Sequence, residues 1–236
     1  PYSSSLANDF SKQFTADGNS IVVTENYTVG KPQTLPARIT DALSHNPDVI
    51  YFSGYAADIG TLLTDLPTSG PPVMGGDALY ELEGYPSSAS ANFHRLHFTS
   101  FAYPDEWDVQ GLTAQKPAFF NEYPSDFDPS AQHRGTGGIY GYSRADGDVI
   151  LSYDAMQALL AASQMALTGS KTNFTPDQLQ QALTQIKGAN AIQGVSGQIS
   201  FGPNGDPMNK AFVILHVSPQ GFIQEEPNVV GIFLKS

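Results

Sequence analysis

Leu6, Phe10 and Phe14 recur every fourth residue and lay one apolar stripe along a helix over residues 5 to 17, which Asp17-Gly18 ends. The β-branched triplet Ile21, Val22 and Val23 predicts a strand, and Leu35, Ile39 and Leu43 stripe a second helix that stops at Asn46-Pro47. The stretch that organises the rest comes next. Val49, Ile50, Tyr51 and Phe52 form an apolar run with little alternation, break at Gly54, and pass into Ile59, Leu62, Leu63 and Leu66 at helical spacing. That reads as strand, tight turn, helix, with the strand buried on both faces as in a parallel sheet. Pro72, Val73 and Met74 then run into Gly75-Gly76-Asp77, a second passage from strand to loop. Strands separated by helices of this length imply right-handed crossovers and an α/β fold. Gly54-Tyr55 and Gly76-Asp77 should therefore emerge along one edge of a parallel sheet and face one crevice, where open α/β sheets bind ligands. Ser53, Tyr55 and Asp77 become the first candidates for ligand contact.

Past a Ser-rich stretch at 86 to 91, Phe93, Leu96 and Phe98 predict another strand. A helix is expected around Pro117 to Tyr123, followed by a long polar loop or lid that includes His133-Arg134-Gly135-Thr136-Gly137-Gly138. Val149 to Leu167 is apolar and Ala-rich throughout, which predicts a helix packed on several sides. Thr175 and Pro176 look like the N-cap and first residue of the next helix, with Leu179, Leu183 and Ile186 on its apolar face. A short strand at 198 to 201, a turn at Gly202 to Asp206, and a hairpin built from 211 to 217 and Phe222-Ile223 complete the chain.

Composition narrows the classes of function. With 236 residues, 40% of them apolar, the chain can bury one large core or two modest ones. No run approaches the roughly 20 apolar residues of a membrane span, and no signal sequence opens the chain, so any export signal is removed or lies upstream. The formal charge of −12 comes from 23 acids against 11 bases without any basic cluster, which argues against nucleic acid and anionic lipid. The absence of cysteine removes disulfides, thiolate metal sites and cysteine nucleophiles together.

Other constellations carry less. His94 and His97, with Asp105 and Glu106 nearby, sit three apart, which on a strand points them to opposite faces and disfavours a shared metal. The glycine-rich 133 to 138 segment lacks the Gly-Lys-Ser/Thr ending of a phosphate loop, and no Gly-x-Ser-x-Gly elbow anchors a hydrolase triad. Asp77 has a structural reading as the N-cap of a helix over 78 to 83, and Asp148 one as an acid at a helix N-terminus.

Several motifs in order carry a resemblance: Tyr2 before Ser5-Leu6-Ala7, Asn46-Pro47-Asp48-Val49 before a strand, Ser53-Gly54-Tyr55, Gly75-Gly76-Asp77, Ser152-Tyr153-Asp154-Ala155 opening a helix, and Gly194 to Asp206 before the last strands. Over nearly its whole length the chain resembles the type I periplasmic-binding-protein fold, specifically the branched-chain amino acid (Leu/Ile/Val) class of ABC-transporter solute-binding proteins. The resemblance implies two hinged α/β lobes, parallel sheets flanked by helices, and ligand capture without chemistry, cofactor or metal. Residues 1 to 101 resemble the second lobe, 102 to 206 the returning part of the first lobe with a long loop at 124 to 147, and 207 to 236 the final crossover and terminal strands. The first lobe's opening half has no counterpart here, so either the chain is a fragment or a separate segment or chain completes that lobe.

By the same resemblance Tyr2 and Tyr55 wall the pocket and Asp77 receives the ammonium group of an amino acid ligand. Asp148 stands where the family commonly has an aromatic residue, which adds a negative charge and favours a more polar or cationic solute. The implied partners are a small-molecule ligand and the ABC permease subunits in the membrane. The implied location is periplasmic or extracellular, with a lipid anchor upstream as one option. A ligand-sensing domain of a receptor or regulator with this fold is the alternative. An α/β enzyme using Asp77 with a second carboxylate lacks any supporting motif.

Overall fold

The computed structural model describes residues 2–80, 85–104, 106–112, 115–127, 129–130, 145–168, 172–221 and 223–235. Its helices are α1 (Tyr2–Ala16), α2 (Leu35–Ser44), α3 (Ala56–Asp65), α4 (Glu106–Val109), α5 (Phe119–Phe127), α6 (Gly147–Ala166) and α7 (Pro176–Leu183). The strands are β1 (Ile50–Phe52), β2 (Val73–Gly75), β3 (Leu96–Ser100), β4 (Ile192–Gly194), β5 (Gly197–Ile199), β6 (Phe212–Val217) and β7 (Ile223–Val230). Five of them form one sheet in the order β1-β2-β3-β6-β7, while β4 and β5 pair antiparallel on their own. The fold is α/β, and β1, β2 and β3 are parallel neighbours with Ile50 opposite Val73 and Val73 opposite Leu96.

The described residues up to 99 and from 214 to 226 form one compact unit; those from 100 to 130, 145 to 213 and from 227 onward form the other. In the first unit, Phe52, Val73, Leu96 and Phe98 are buried in the sheet, as are Ile59, Leu62 and Leu63 on α3. α3 ends where its last carbonyls find a donor: the buried Asn92 side chain, from the 3-10 turn Ser87–Arg95, donates to the carbonyls of Leu63 and Leu66, each at 2.8 Å. The opposite side of the sheet is more open, since Met74 in β2 is 46% exposed. In β1, for which burial on both faces is expected, Phe52 is buried while Ile50 and Tyr51 are half-buried.

In the second unit the buried line of α6 is every fourth residue, Ile150, Asp154, Ala158, Ala162 and Ala166. Three alanines in that line let α7 approach closely, and Ala182, Ile186 and Ile199 close the cluster. Elsewhere on α6, Tyr153, Met156, Leu159 and Leu160 are exposed, so the helix packs along one stripe rather than on several sides. The start of α7 is a full capping box, with the Thr175 hydroxyl accepting from the Gln178 N–H and the Gln178 side chain accepting from the Thr175 N–H. Asp154 ties α6 to the hairpin, accepting from the backbone N–H groups of Val195 at 2.8 Å and Ser196 at 2.9 Å and from the Ser196 hydroxyl. Lys210 Nζ stands 3.9 Å from the same carboxylate and donates to the Ser196 hydroxyl. A side chain at Gly194 has no room, because a Cβ there would lie 2.3 Å from Asp154 Oδ2.

Three local expectations change. Ile21, Val22 and Val23 are in no strand, and Ile21 and Val22 are exposed. Their β-branched character has no strand partner to act on. Phe93 lies in the 3-10 turn and β3 begins only at Leu96. Asp77 does not cap a helix by its side chain; it opens a single 3-10 turn, Asp77–Leu79. The glycine-rich loop at 133 to 138 and Asp105 lie outside the described residues.

Candidate functional site

The site grows from α1. The Leu6, Phe10, Phe14 stripe lays this helix along β1, where the Phe10 ring stacks on Tyr51 with centroids 3.8 Å apart and planes 1° from parallel. One turn before Leu6, Tyr2 is thereby carried to the carboxyl ends of β1 and β2. Gly76 makes room for the helix: a Cβ there would stand 3.0 Å from Leu6 Cδ2 and 3.4 Å from the Tyr2 hydroxyl. The two loops that periodicity placed on one sheet edge do meet at that edge. Tyr2 joins them, donating its hydroxyl to Asp77 Oδ1 at 2.6 Å and packing its ring 5.8 Å from that of Tyr55 at 41°.

The electrostatics follow from that geometry. Burial, and then the adjoining Asp77 carboxylate, raise the pKa of the Tyr2 hydroxyl, while the Ala78 backbone opposes them. Tyr51 is pushed up by burial and by the same Asp77 charge. Two tyrosines are thus held neutral around one half-buried carboxylate. The corner offers an acceptor for a cation, an aromatic wall from Tyr2 and Tyr55, and the amide-bearing start of α3 behind Tyr55, its N-cap residue.

Ser53 takes a different part. Its hydroxyl donates to the Ser3 carbonyl and so fastens the first turn of α1 to the end of β1. The loop is further pinned from beneath by Asp58, which the sequence reading passed over. Asp58 is 1% exposed, accepts from the Gly30 N–H at 3.2 Å, and faces the Tyr27 hydroxyl, whose pKa is raised by burial and then by that carboxylate. Tyr27 in turn stacks on Phe52 at 5.4 Å. The available signal was a lone acid in the first turn of a helix whose neighbouring positions Ile59, Leu62 and Leu63 are all apolar.

Tyr2, Ser53, Tyr55 and Asp77 share the first unit, and Asp148 lies in the second. Asp148 is exposed in the first turn of α6, beside Asp146, whose side chain caps the helix by accepting from the Val149 N–H at 2.8 Å. Burial raises the Asp146 pKa; the cap bond to Val149 lowers it and the charge of Asp148 raises it. Among the described residues no group of three His, Asp or Glu side chains is placed to hold a metal ion. None of the described helices is long and apolar enough to cross a membrane.

No family model matches the chain, and no curated protein sequence is similar to it. Solved structures are similar in fold. A leucine-binding protein LivK of Thermotoga maritima MSB8 superposes with a TM-score of 0.68 at 23% identity, over 98% of this chain and 57% of its own. The fold is that of ABC-transporter solute-binding proteins. A branched-chain amino acid transporter substrate-binding protein LivJ of Streptococcus pneumoniae, solved with isoleucine, gives 0.62 at 17% identity, over 96% of this chain and 56% of that one. A solute-binding protein of an ABC transporter of R. palustris, solved with benzoate, gives 0.63 at 18% identity, over 95% and 54%. All three are named as binding proteins. The chain spans a little over half the length of each of these three structures.

Proposed function

We propose that the protein captures an amino acid or similar small polar solute outside the cytoplasm and hands it to the permease of an ABC importer. The observation that carries this reading is the Asp77 carboxylate, half-buried, with Tyr2 on Oδ1 and the second oxygen left to a ligand ammonium, beside the aromatic pair Tyr2 and Tyr55. Likeness in fold to proteins named for leucine, isoleucine and benzoate supports solute binding as a class. In this reading Asp148 adds negative charge that favours a polar or cationic solute. Further polypeptide completes the second unit, whether from a longer form of this chain or from a separate one. The exposed apolar side chains of α6, Tyr153, Met156, Leu159 and Leu160, support that completion.

Thermal-shift screening with amino acids, polyamines and small acids tests the proposal, since a bound solute raises the melting temperature by mass action. An amino acid that binds should lose its effect when its amine is acetylated. Asp77→Asn should weaken that solute by roughly ten- to a hundredfold, the equivalent of about 1.5–3 kcal/mol for a hydrogen bond to a charged group. Unchanged affinity in Asp77→Asn would remove the ammonium contact from the account.

A further inference from the structure

Away from the Tyr2 and Asp77 corner, the first unit gathers a second set of titratable side chains, one on each of three strands that lie side by side. His97 is on β3, His216 on β6 and Glu226 on β7. Glu226 Oε1 lies 3.0 Å from His216 Nδ1 and 3.8 Å from His97 Nε2, and the two imidazoles tilt at 36° with centroids 6.1 Å apart. His216 Nδ1 is shut off from solvent and makes no well-aligned hydrogen bond, so the carboxylate oxygen is the polar atom it faces. A nitrogen lone pair and a carboxylate oxygen repel at that distance. Nδ1 therefore holds a proton, either as the neutral tautomer or as the imidazolium.

Among the described residues, the same three strands are where the chain passes between the two units, after Thr99 in β3, before Ile214 in β6 and after Glu226 in β7. Each member of the cluster lies within a few residues of its crossing. We infer that His97, His216 and Glu226 form a proton-operated clasp across the three crossing strands.

With both imidazoles neutral, Glu226 faces His216 Nδ1 closely, and 3.8 Å is too long for a hydrogen bond from His97. A proton taken up by His97 makes its Nε2 a cationic donor, and closing by under about 1 Å then creates a charge-assisted hydrogen bond. That bond ties β3 to β7, which are not neighbours in the sheet, over the top of β6. Imidazole is the side chain that changes charge between about pH 5 and 8, so acid tightens the clasp and neutral pH loosens it.

The surroundings leave this chemistry to the three residues. In register beside His97, β2 presents Met74 and β1 presents Tyr51. Along β6 the same side carries Phe212 and Ile214, and on β7 Glu225 points to the opposite, buried side. On α1, which covers Tyr51 through Phe10, Asp9 and Lys12 pair with each other in solvent, and Asp77 accepts from Tyr2 at its own corner. No metal-holding group of three exists among the described residues.

Hydrogen exchange of the full chain, followed by mass spectrometry at pH 5.5 and pH 7.5 in EDTA and corrected for intrinsic rates, tests the clasp without any solute. Amides of β3 and β7 should be about tenfold better protected at the lower pH, the gain expected when about 1.4 kcal/mol of interaction is added. His97→Gln and Glu226→Gln should each abolish that difference. His97 makes no hydrogen bond to Glu226 at 3.8 Å, so its replacement should leave the melting temperature at pH 7.5 unchanged even if Glu226→Gln fails to fold. Equal protection at the two pH values, or a difference that persists in His97→Gln, overturns the clasp. Solute affinity plays no part in this readout, so it stands or falls apart from the binding proposal.

Discussion

Replacing Asp154 with alanine should be among the most damaging single changes to the second unit. The carboxylate is 4% exposed and is the acceptor for the Val195 and Ser196 backbone N–H groups at 2.8 and 2.9 Å. It also faces Lys210, whose pKa is lowered by burial and held up in part by Asp154 itself. Alanine leaves two buried donors without an acceptor, at about 1–3 kcal/mol each, and strands a lysine whose lost buried partner alone is worth about 3–5 kcal/mol. These losses overlap because they share one carboxylate, so the expected total is about 4 kcal/mol rather than their sum. For a domain of about 5–15 kcal/mol that is a large fraction. With a urea slope near 2 kcal/mol per molar, the unfolding midpoint followed by far-UV circular dichroism should fall by about 2 M. Asp154→Asn, which keeps one acceptor oxygen but brings two donors toward N–H groups, should fall between alanine and wild type. A midpoint in Asp154→Ala within about 0.5 M of wild type would refute the reasoning, since a shift that small leaves no room for two orphaned donors.

Three further outcomes follow from the same geometry. Gly76→Ala places a methyl 3.0 Å from Leu6 and 3.4 Å from the Tyr2 hydroxyl, so it should displace Tyr2 and weaken solute binding in a titration, with little change in melting temperature. Asp146 has a raised pKa, so its folded form keeps a proton to higher pH than the unfolded chain; its contribution improves as pH falls through that raised value and is unfavourable at neutral pH. Asp146→Asn keeps the cap to Val149 and should therefore match or exceed wild-type melting at pH 7, whereas Asp146→Ala loses the cap and about 1 kcal/mol. Tyr27 is raised by burial and Asp58, so the stability it lends is full below the ordinary tyrosine value of about 10 and drains as pH rises beyond it. Melting curves between pH 8 and 11 should therefore fall less steeply in Tyr27→Phe than in wild type, and parallel curves would remove Tyr27 from the alkaline transition.

How much of this was legible depended on range. The Leu6, Phe10, Phe14 stripe became α1, and Thr175-Pro176 became a capped helix start, because both signals are complete within one or two turns. The placement of Tyr55 and Asp77 on one sheet edge was also legible, since two strands joined by a helix of ten residues must run parallel. The triplet Ile21 to Val23 misled for the opposite reason: β-branched residues state a preference, and a strand exists only where another strand pairs with it. Asp58 escaped notice because its partner, the Gly30 N–H, comes from an irregular stretch without any pattern.

The order of apolar and polar positions was enough to set the α/β class, the helix faces and the edge at which β1 and β2 open, because each is a local consequence of a period of 3.6 or 2 along the chain. Only the tertiary structure decided that Tyr2 meets Asp77 across 75 positions, that Asp154 holds the turn after β4, and that His97 and His216 share Glu226. Those meetings depend on strand order and on how far each helix slides along its sheet. Such distances come from the packing of many side chains at once, and no single stretch of sequence carries them.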